Sequence, residues 1–268
     1  MNLFKSTFAN TSSARFDYGG YIIDWFALIS PSSLPSKGQP LRPLLSEEVI
    51  AKISNSVCVL TEEGKTFGSG FAVSNSRVYT AAHHWEEEDD EGATYFAVAV
   101  GDTVECIHGK PSANKRYNMQ VVKLDEHLDY CILEIIGDHT FTEWLETDVS
   151  PNLTLTTPVF LAAYQIGIQE RLDEYEMGVT LGITSGTIVR RGNRHVVHSC
   201  AAFKGDSGGT IVISNGKVIG LHMAAVNEAK ELLDVTSVDF GSVADSINQL
   251  CDAQSSGSVA LLVSAIEP

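Results

Sequence analysis

Basic side chains are scarce: 18 Lys and Arg stand against 34 Asp and Glu in 268 residues, a net charge of −16. No stripe of cations exists to neutralise phosphates, so nucleic acid is not an expected partner. Long apolar runs are missing as well. The best one near the start, Tyr21 to Ile29, carries Asp24 and falls short of the ~20 residues that cross a bilayer, so no membrane partner is expected. The opening residues hold no basic stretch leading into an apolar one, and no secretory signal is read there. Cysteine is sparse and odd in number. Cys58, Cys106, Cys131, Cys200 and Cys251 show neither a disulfide framework nor metal-ligand spacing. The expectation is free thiols in a reducing, intracellular compartment, with no metal and no cofactor. Long amphipathic helices between strands are absent too, which argues against a parallel α/β sheet.

What is present is a globular composition, 44% hydrophobic and 19% charged, which is enough apolar material for a core and argues against global disorder. Residues 1–46 stand apart. Their middle, Ser30-Pro-Ser-Ser-Leu-Pro-Ser-Lys-Gly-Gln-Pro-Leu-Arg-Pro, reads as an extended linker, and the segment is a candidate docking or inhibitory region for a regulatory partner. From Glu47 onward short β-prone runs alternate with polar turns. Val57-Cys-Val-Leu, Gly70-Phe-Ala-Val, Arg77-Val-Tyr-Thr, Tyr95-Phe-Ala-Val-Ala-Val, Met119-Gln-Val-Val and Tyr130-Cys-Ile-Leu-Glu-Ile-Ile form one set. Val159-Phe-Leu-Ala-Ala, Gly186-Thr-Ile-Val, Val196-Val-His, Thr210-Ile-Val-Ile and Lys217-Val-Ile-Gly-Leu-His form another. Between the last two, Ser214-Asn-Gly predicts a type I′ hairpin. Val243 to Cys251 has apolar residues at helical spacing and predicts a short terminal helix. The expected organisation is two small barrels, residues 47–142 and 159–254 (the helix included), with a linker at 143–158 and a tail at 255–268.

Chemistry concentrates in three places. Phe203-Lys-Gly-Asp-Ser-Gly-Gly-Thr surrounds Ser207 with glycines that permit a tight backbone, aiming the Gly205 and Ser207 N–H groups at one oxygen. Alone, it could be a glycine turn between strands. Val78-Tyr-Thr-Ala-Ala-His puts His83 just after a strand, and Leu128-Asp-Tyr-Cys-Ile-Leu puts Asp129 at the start of one. A serine hydroxyl needs a base to take its proton, and the base needs a group that orients it. These three segments supply one candidate for each role.

Together they resemble the trypsin/chymotrypsin family, in its order His–Asp–Ser, across roughly residues 50–240. The resemblance implies an all-β fold of two packed six-stranded antiparallel β-barrels, here with a short C-terminal helix. It also implies a serine endopeptidase, a peptide-bond hydrolase acting on protein or peptide substrates. His83 would be the base, Asp129 its orienting carboxylate, Ser207 the nucleophile, and Gly205 and Ser207 the oxyanion hole. His83 is preferred over His84 because it directly follows Thr80-Ala-Ala. Asp129 is preferred over Asp125 because the apolar strand begins immediately after it. The expected role is limited proteolysis, as a regulatory or defence effector. Two alternatives stay open: a catalytically silent protease-like binding module, and a viral-type polyprotein-processing protease.

The chain departs from the secreted branch of that family. His84 occupies the position of a cysteine, its usual partner position is assigned to Phe67, and Phe203 replaces another bridge position. These losses resemble the disulfide-free branches, HtrA-type and viral. There is no activation sequence for a new N-terminal amine to pair with Asp206, so Asp206 is expected to be hydrogen-bonded otherwise. Ala201 stands where trypsin-like specificity needs an aspartate, and Ala202 where Ser or Thr is often found. The strand Gly220-Leu-His-Met-Ala-Ala brings His222 and Ala224 to the substrate-binding candidates. His222 would reward a Gln or Glu on the acyl side of the scissile bond (P1). It could instead be satisfied internally, in which case a small or apolar P1 is expected. The acidic run Glu86 to Glu91 reads as a solvated loop, or as a selector of basic residues on the leaving-group side.

Overall fold

The computed structural model describes residues 45–62, 65–108, 115–165, 180–203, 205–225 and 257–267. A helix, α1 (Glu47–Ser56), opens the described chain. Ser46 caps it by accepting the Val49 N–H at 3.2 Å, and Glu47 and Glu48 sit favourably in its first turn. Six strands then close a first barrel: β1 (Val57–Glu62), β2 (Lys65–Ala72), β3 (Arg77–Thr80), β6 (Thr103–His108), β7 (Lys115–Asp125) and β8 (Tyr130–Ile135), in spatial order β1-β2-β3-β8-β7-β6. A separate hairpin, β4 (Glu86–Glu88) with β5 (Thr94–Phe96), is inserted after β3. The second barrel contains β9 (Pro158–Gln165), β10 (Thr180–Arg191), β11 (His195–His198), β12 (Thr210–Ile213), β13 (Val218–Ala225) and β14 (Ser258–Leu262), in the order β10-β11-β14-β13-β12-β9. A short helix, α2 (Val263–Ile266), follows. This is the all-β, two-barrel architecture the motifs implied.

Strand alternation explains how two barrels share one core. On β1, Cys58 and Leu60 point into the first barrel with Val78, Met119, Val121 and Leu133, while Val57 and Val59 face outward. On β9, Val159, Leu161 and Ala163 fill the second barrel, and Phe160, Ala162 and Tyr164 face outward. The two outward sets meet Phe71, Tyr79 and Leu261 in one continuous cluster between the barrels. β9, β13 and β14 are therefore buried on both faces, whereas β7 alternates.

Three expectations need correction. Residues 255–268 are not simply a tail, because 258–262 form β14, which closes the second barrel by pairing with both β11 and β13. The Ser214-Asn-Gly connection is not type I′: only Gly216 has positive φ, at 80°, and its N–H bonds the Ile213 carbonyl. This is a type I turn followed by a left-handed glycine, which suits a three-residue hairpin loop. The run from Tyr95 gives only the short β5, and the sixth strand of the first barrel is instead β6. The helix expected at 243–251 and residues 1–44 of the extension 1–46 lie outside the described residues. Cys58, Cys106 and Cys131 are buried free thiols, Cys200 is buried, and no group of metal-ligating side chains occurs among the described residues. No described helix is long and apolar enough to cross a membrane.

Glu267, just after α2, ties the chain end to the first barrel. It accepts hydrogen bonds from the buried Tyr79 hydroxyl on β3 and from Thr147 Oγ1. Glu267→Ala strands a buried hydroxyl and is expected to cost roughly 1–3 kcal/mol. Glu267→Gln keeps an acceptor and should sit close to wild type. Thermal unfolding of the two variants checks this; equal losses in both would sink the hydrogen-bond account.

Candidate active site

His83 lies in a 3₁₀ turn, Ala82–Trp85, directly after β3, and Asp129 lies in the tight turn from β7 into β8. Two contacts join them. The His83 backbone N–H donates to Asp129 Oδ1 at 2.8 Å, and His83 Nδ1 lies 2.7 Å from Asp129 Oδ2. Asp129 has φ of 55°, a left-handed conformation that Asp and Asn tolerate better than most residues. Asp125 does other work: its carboxylate accepts the Leu128 N–H at 2.9 Å and shapes the turn. Asp129 is buried, and His83 remains partly accessible.

Ser207 sits in the loop before β12. Its hydroxyl donates to the Met223 carbonyl at 2.8 Å. Met223 is the extra residue of a β-bulge in β13, where His222 pairs with Ala260 and Ala224 with Val259. The bulge takes that carbonyl out of the ladder and turns it to the serine, a common use of bulges beside sites. Gly208 has φ of 79°, and a Cβ there would meet the Ser69 carbonyl at 2.0 Å, so no other residue fits. Asp206 is buried behind the loop. Its Oδ2 accepts the Phe203 N–H at 2.8 Å, Oδ1 has no partner among the described residues, and burial pushes the carboxyl up to about 7.

His83 and Ser207 open onto one cleft of about 380 Å³, whose lining also includes Ala224, Thr94, Glu86, Glu87 and Glu88. The acidic run is thus partly a built wall: Glu86–Glu88 form β4, Tyr95 OH braces Glu87 Oε2 at 2.7 Å, and Asp89 closes the turn by accepting from Glu91 and Ala93. Of the four specificity candidates, only Ala224 lines the cleft. Ala201 and Ala202 are half-buried, with the Ala201 carbonyl bonded by Thr184 Oγ1 and Ala202 packed on the second barrel's interior. His222 is fully buried, its ring 5.5 Å from that of His198, and burial holds it well below the usual imidazole range.

His84 corrects a register. A Cβ at residue 68 would lie 2.2 Å from its ring, so the position opposite His84 belongs to Gly68 and not to Phe67. Phe67 instead meets the ring edge-on at 5.9 Å. An imidazole laid over a glycine fills the space between the two segments. Burial, then the neighbouring His83, push His84 down to about 3, so it stays neutral. Among the residues built into the site, Ser69, Met223, Thr94 and His198 carried no sequence signal of their own.

Residues 68–221, more than half of the chain, match the trypsin-like peptidase domain family, and the chain belongs to that family. The magnetosome formation protease MamE of Magnetospirillum gryphiswaldense is 28% identical over 213 residues, covering 77% of this chain and 22% of MamE. The chain thus spans about a fifth of the length of that relative. Among solved structures, the Rv3671c protease of M. tuberculosis in its active form superposes with a TM-score of 0.53 at 20% identity, covering 83% of this chain and 82% of that one. A Glu endopeptidase superposes at 0.50 with 14% identity, covering 80% and 86%. At those identities the likeness speaks for the fold, that of chymotrypsin-like serine proteases.

Proposed function

We propose that the chain is a serine endopeptidase in which Ser207 is the nucleophile. Ser207 Oγ attacks the substrate carbonyl carbon while His83 takes its proton, and the carbonyl π electrons move to the oxygen. The Asp129 carboxylate holds the Nδ1–H tautomer and stabilises the imidazolium. Collapse of the tetrahedral intermediate expels the amine, which takes the proton from His83, and water then repeats the sequence on the acyl-enzyme. The observation that carries the reading is the doubly bonded His83–Asp129 pair opening onto the same cleft as Ser207. In the resting state the hydroxyl proton points to Met223, so it must turn from that carbonyl before transfer.

Peptide geometry supports an oxyanion hole at Gly205 and Ser207. The Asp206 carbonyl accepts the Gly209 N–H at 2.8 Å, and the trans peptide therefore sends the Ser207 N–H the opposite way. Neither the Gly205 nor the Ser207 N–H donates to a described protein group. Both are available to a developing oxyanion.

Ala224 on the cleft wall, with no charge at Ala201 or Ala202, supports a small or apolar P1. The Glu86–Glu88 wall supports basic residues on the leaving-group side. Fluorophosphonate labelling followed by a peptide-library screen tests both. Labelling with cleavage after small residues is the expected result. Cleavage after Gln or Glu would reassign the pocket to His222, and no labelling would favour the silent binding module.

A further inference from the structure

We infer that Ser69 and His84, both carried by the first barrel, are positioning residues that set the oxyanion loop of the second. The inference rests on the hydrolase reading above. Ser69, on β2, is completely buried and faces the loop from across the barrel junction. Its backbone N–H donates to the Ser207 carbonyl at 3.1 Å, and its Oγ donates to the Gly205 carbonyl at 2.8 Å. The direction of the second bond is fixed. Ser69 Oγ also accepts the Tyr164 N–H at 2.9 Å, so its single proton is committed to Gly205. Thr80 Oγ1, on the neighbouring strand, bonds the Ser69 carbonyl at 2.7 Å and holds the backbone in place.

His84 supplies the second hold. Its Nε2 lies 3.1 Å from the Ser207 carbonyl, which can only accept, so the imidazole proton sits on Nε2. The ring is wedged over Gly68, where no side chain competes for the space.

The consequence lies in the peptide planes. The carbonyls of Gly205 and Ser207 are both pinned toward the first barrel. Each trans unit then points its N–H away: Asp206 N to the Phe203 carbonyl at 3.0 Å, and Gly208 N to the His222 carbonyl at 2.9 Å. The peptide between these two units is the one that carries the Ser207 N–H. With both neighbours clamped and its own carbonyl held by the Gly209 N–H at 2.8 Å, this peptide keeps its orientation, and the oxyanion donor is aimed before substrate arrives, which is where such donors gain their effect. At this junction Ser69 and His84 grip the loop together, one through its hydroxyl and one through its imidazole.

The test compares an inhibitor that forms an oxyanion with one that does not. Wild type and Ser69→Ala are assayed on the best library peptide, then titrated with its aldehyde, which adds Ser207 to form a hemiacetal, and with its carboxylate product. Ser69→Ala is expected to lower kcat about 10- to 100-fold, less than loss of an oxyanion donor itself. KM should stay within about twofold, by the same transition-state logic. Aldehyde affinity should fall in step with kcat, and product affinity should hold. His84→Leu, which removes the other donor, should show the same split, with His84→Gln recovering part of the loss; this pair decides the matter if Ser69→Ala does not fold. Unchanged kcat, or equal weakening of aldehyde and product, overturns the positioning role alone. A wild type that neither cleaves nor takes up the aldehyde overturns the hydrolase reading, and the inference with it.

Discussion

Ser207→Ala is expected to lower kcat for peptide hydrolysis by about 10⁶ while leaving the fold intact. The size follows from the division of labour at the site. Without Oγ no acyl-enzyme forms, and what remains is water attack assisted by binding and the oxyanion donors, worth roughly 10³–10⁴ over solution. The intactness follows from the contacts. Ser207 Oγ makes one hydrogen bond, to the Met223 carbonyl, and the residue is only half-buried at the cleft, so little packing is lost. His83→Ala should lower kcat as far, and the double variant no further, because nucleophile and base act as one unit. His83→Ala is the less clean probe: it leaves Asp129 Oδ2 buried without its partner. Turnover, fluorophosphonate labelling and thermal unfolding of the three variants give the check. Labelling that survives in Ser207→Ala would mean that another residue is the nucleophile.

The fold was legible in the sequence because strand alternation and three spaced motifs agree on it. The Ser207 loop and the two strand-end residues His83 and Asp129 carry local signatures, and the structure brings all three to one place. What escaped has physical reasons. β14 is a five-residue run near the chain end, Ser258-Val-Ala-Leu-Leu, whose partners β11 and β13 are distant in sequence; a strand buried on both faces lacks the polar alternation that would mark it. Glu86 to Glu88 look like solvent-exposed charge in one dimension, and are so; only their pairing with β5 turns them into a cleft wall. Ser69 hydrogen-bonds across 136 residues to the Gly205 carbonyl, a contact that exists only once two barrels have closed and packed. His222 was visible as a histidine in a strand, but its burial against His198 of β11 depends on the closing of the second barrel.

Asp129→Asn is expected to lower kcat by about 10⁴ with near-native stability, and it separates orientation from mere packing. Asn keeps the shape and accepts the φ of 55° as readily as Asp, so the turn into β8 should survive. Its side-chain carbonyl can still accept the His83 backbone N–H, now made to Oδ1 at 2.8 Å. The amide nitrogen then falls opposite His83 Nδ1, where Oδ2 now sits at 2.7 Å, and there it can only donate. The imidazole answers by placing its lone pair on Nδ1 and its proton on Nε2. That tautomer faces Ser207 with a donor where catalysis needs an acceptor, and the stabilising charge for the imidazolium has gone as well. KM should change little, since no group that touches the substrate has moved. Asp129→Ala provides the contrast: it loses both contacts to His83 and adds backbone strain of roughly 1 kcal/mol or more at a left-handed residue. It should therefore lose stability as well as turnover. Kinetics and thermal unfolding on the two variants check the account. An Asn variant within tenfold of wild type would remove Asp129 from the mechanism and leave it as a turn residue that happens to bond His83.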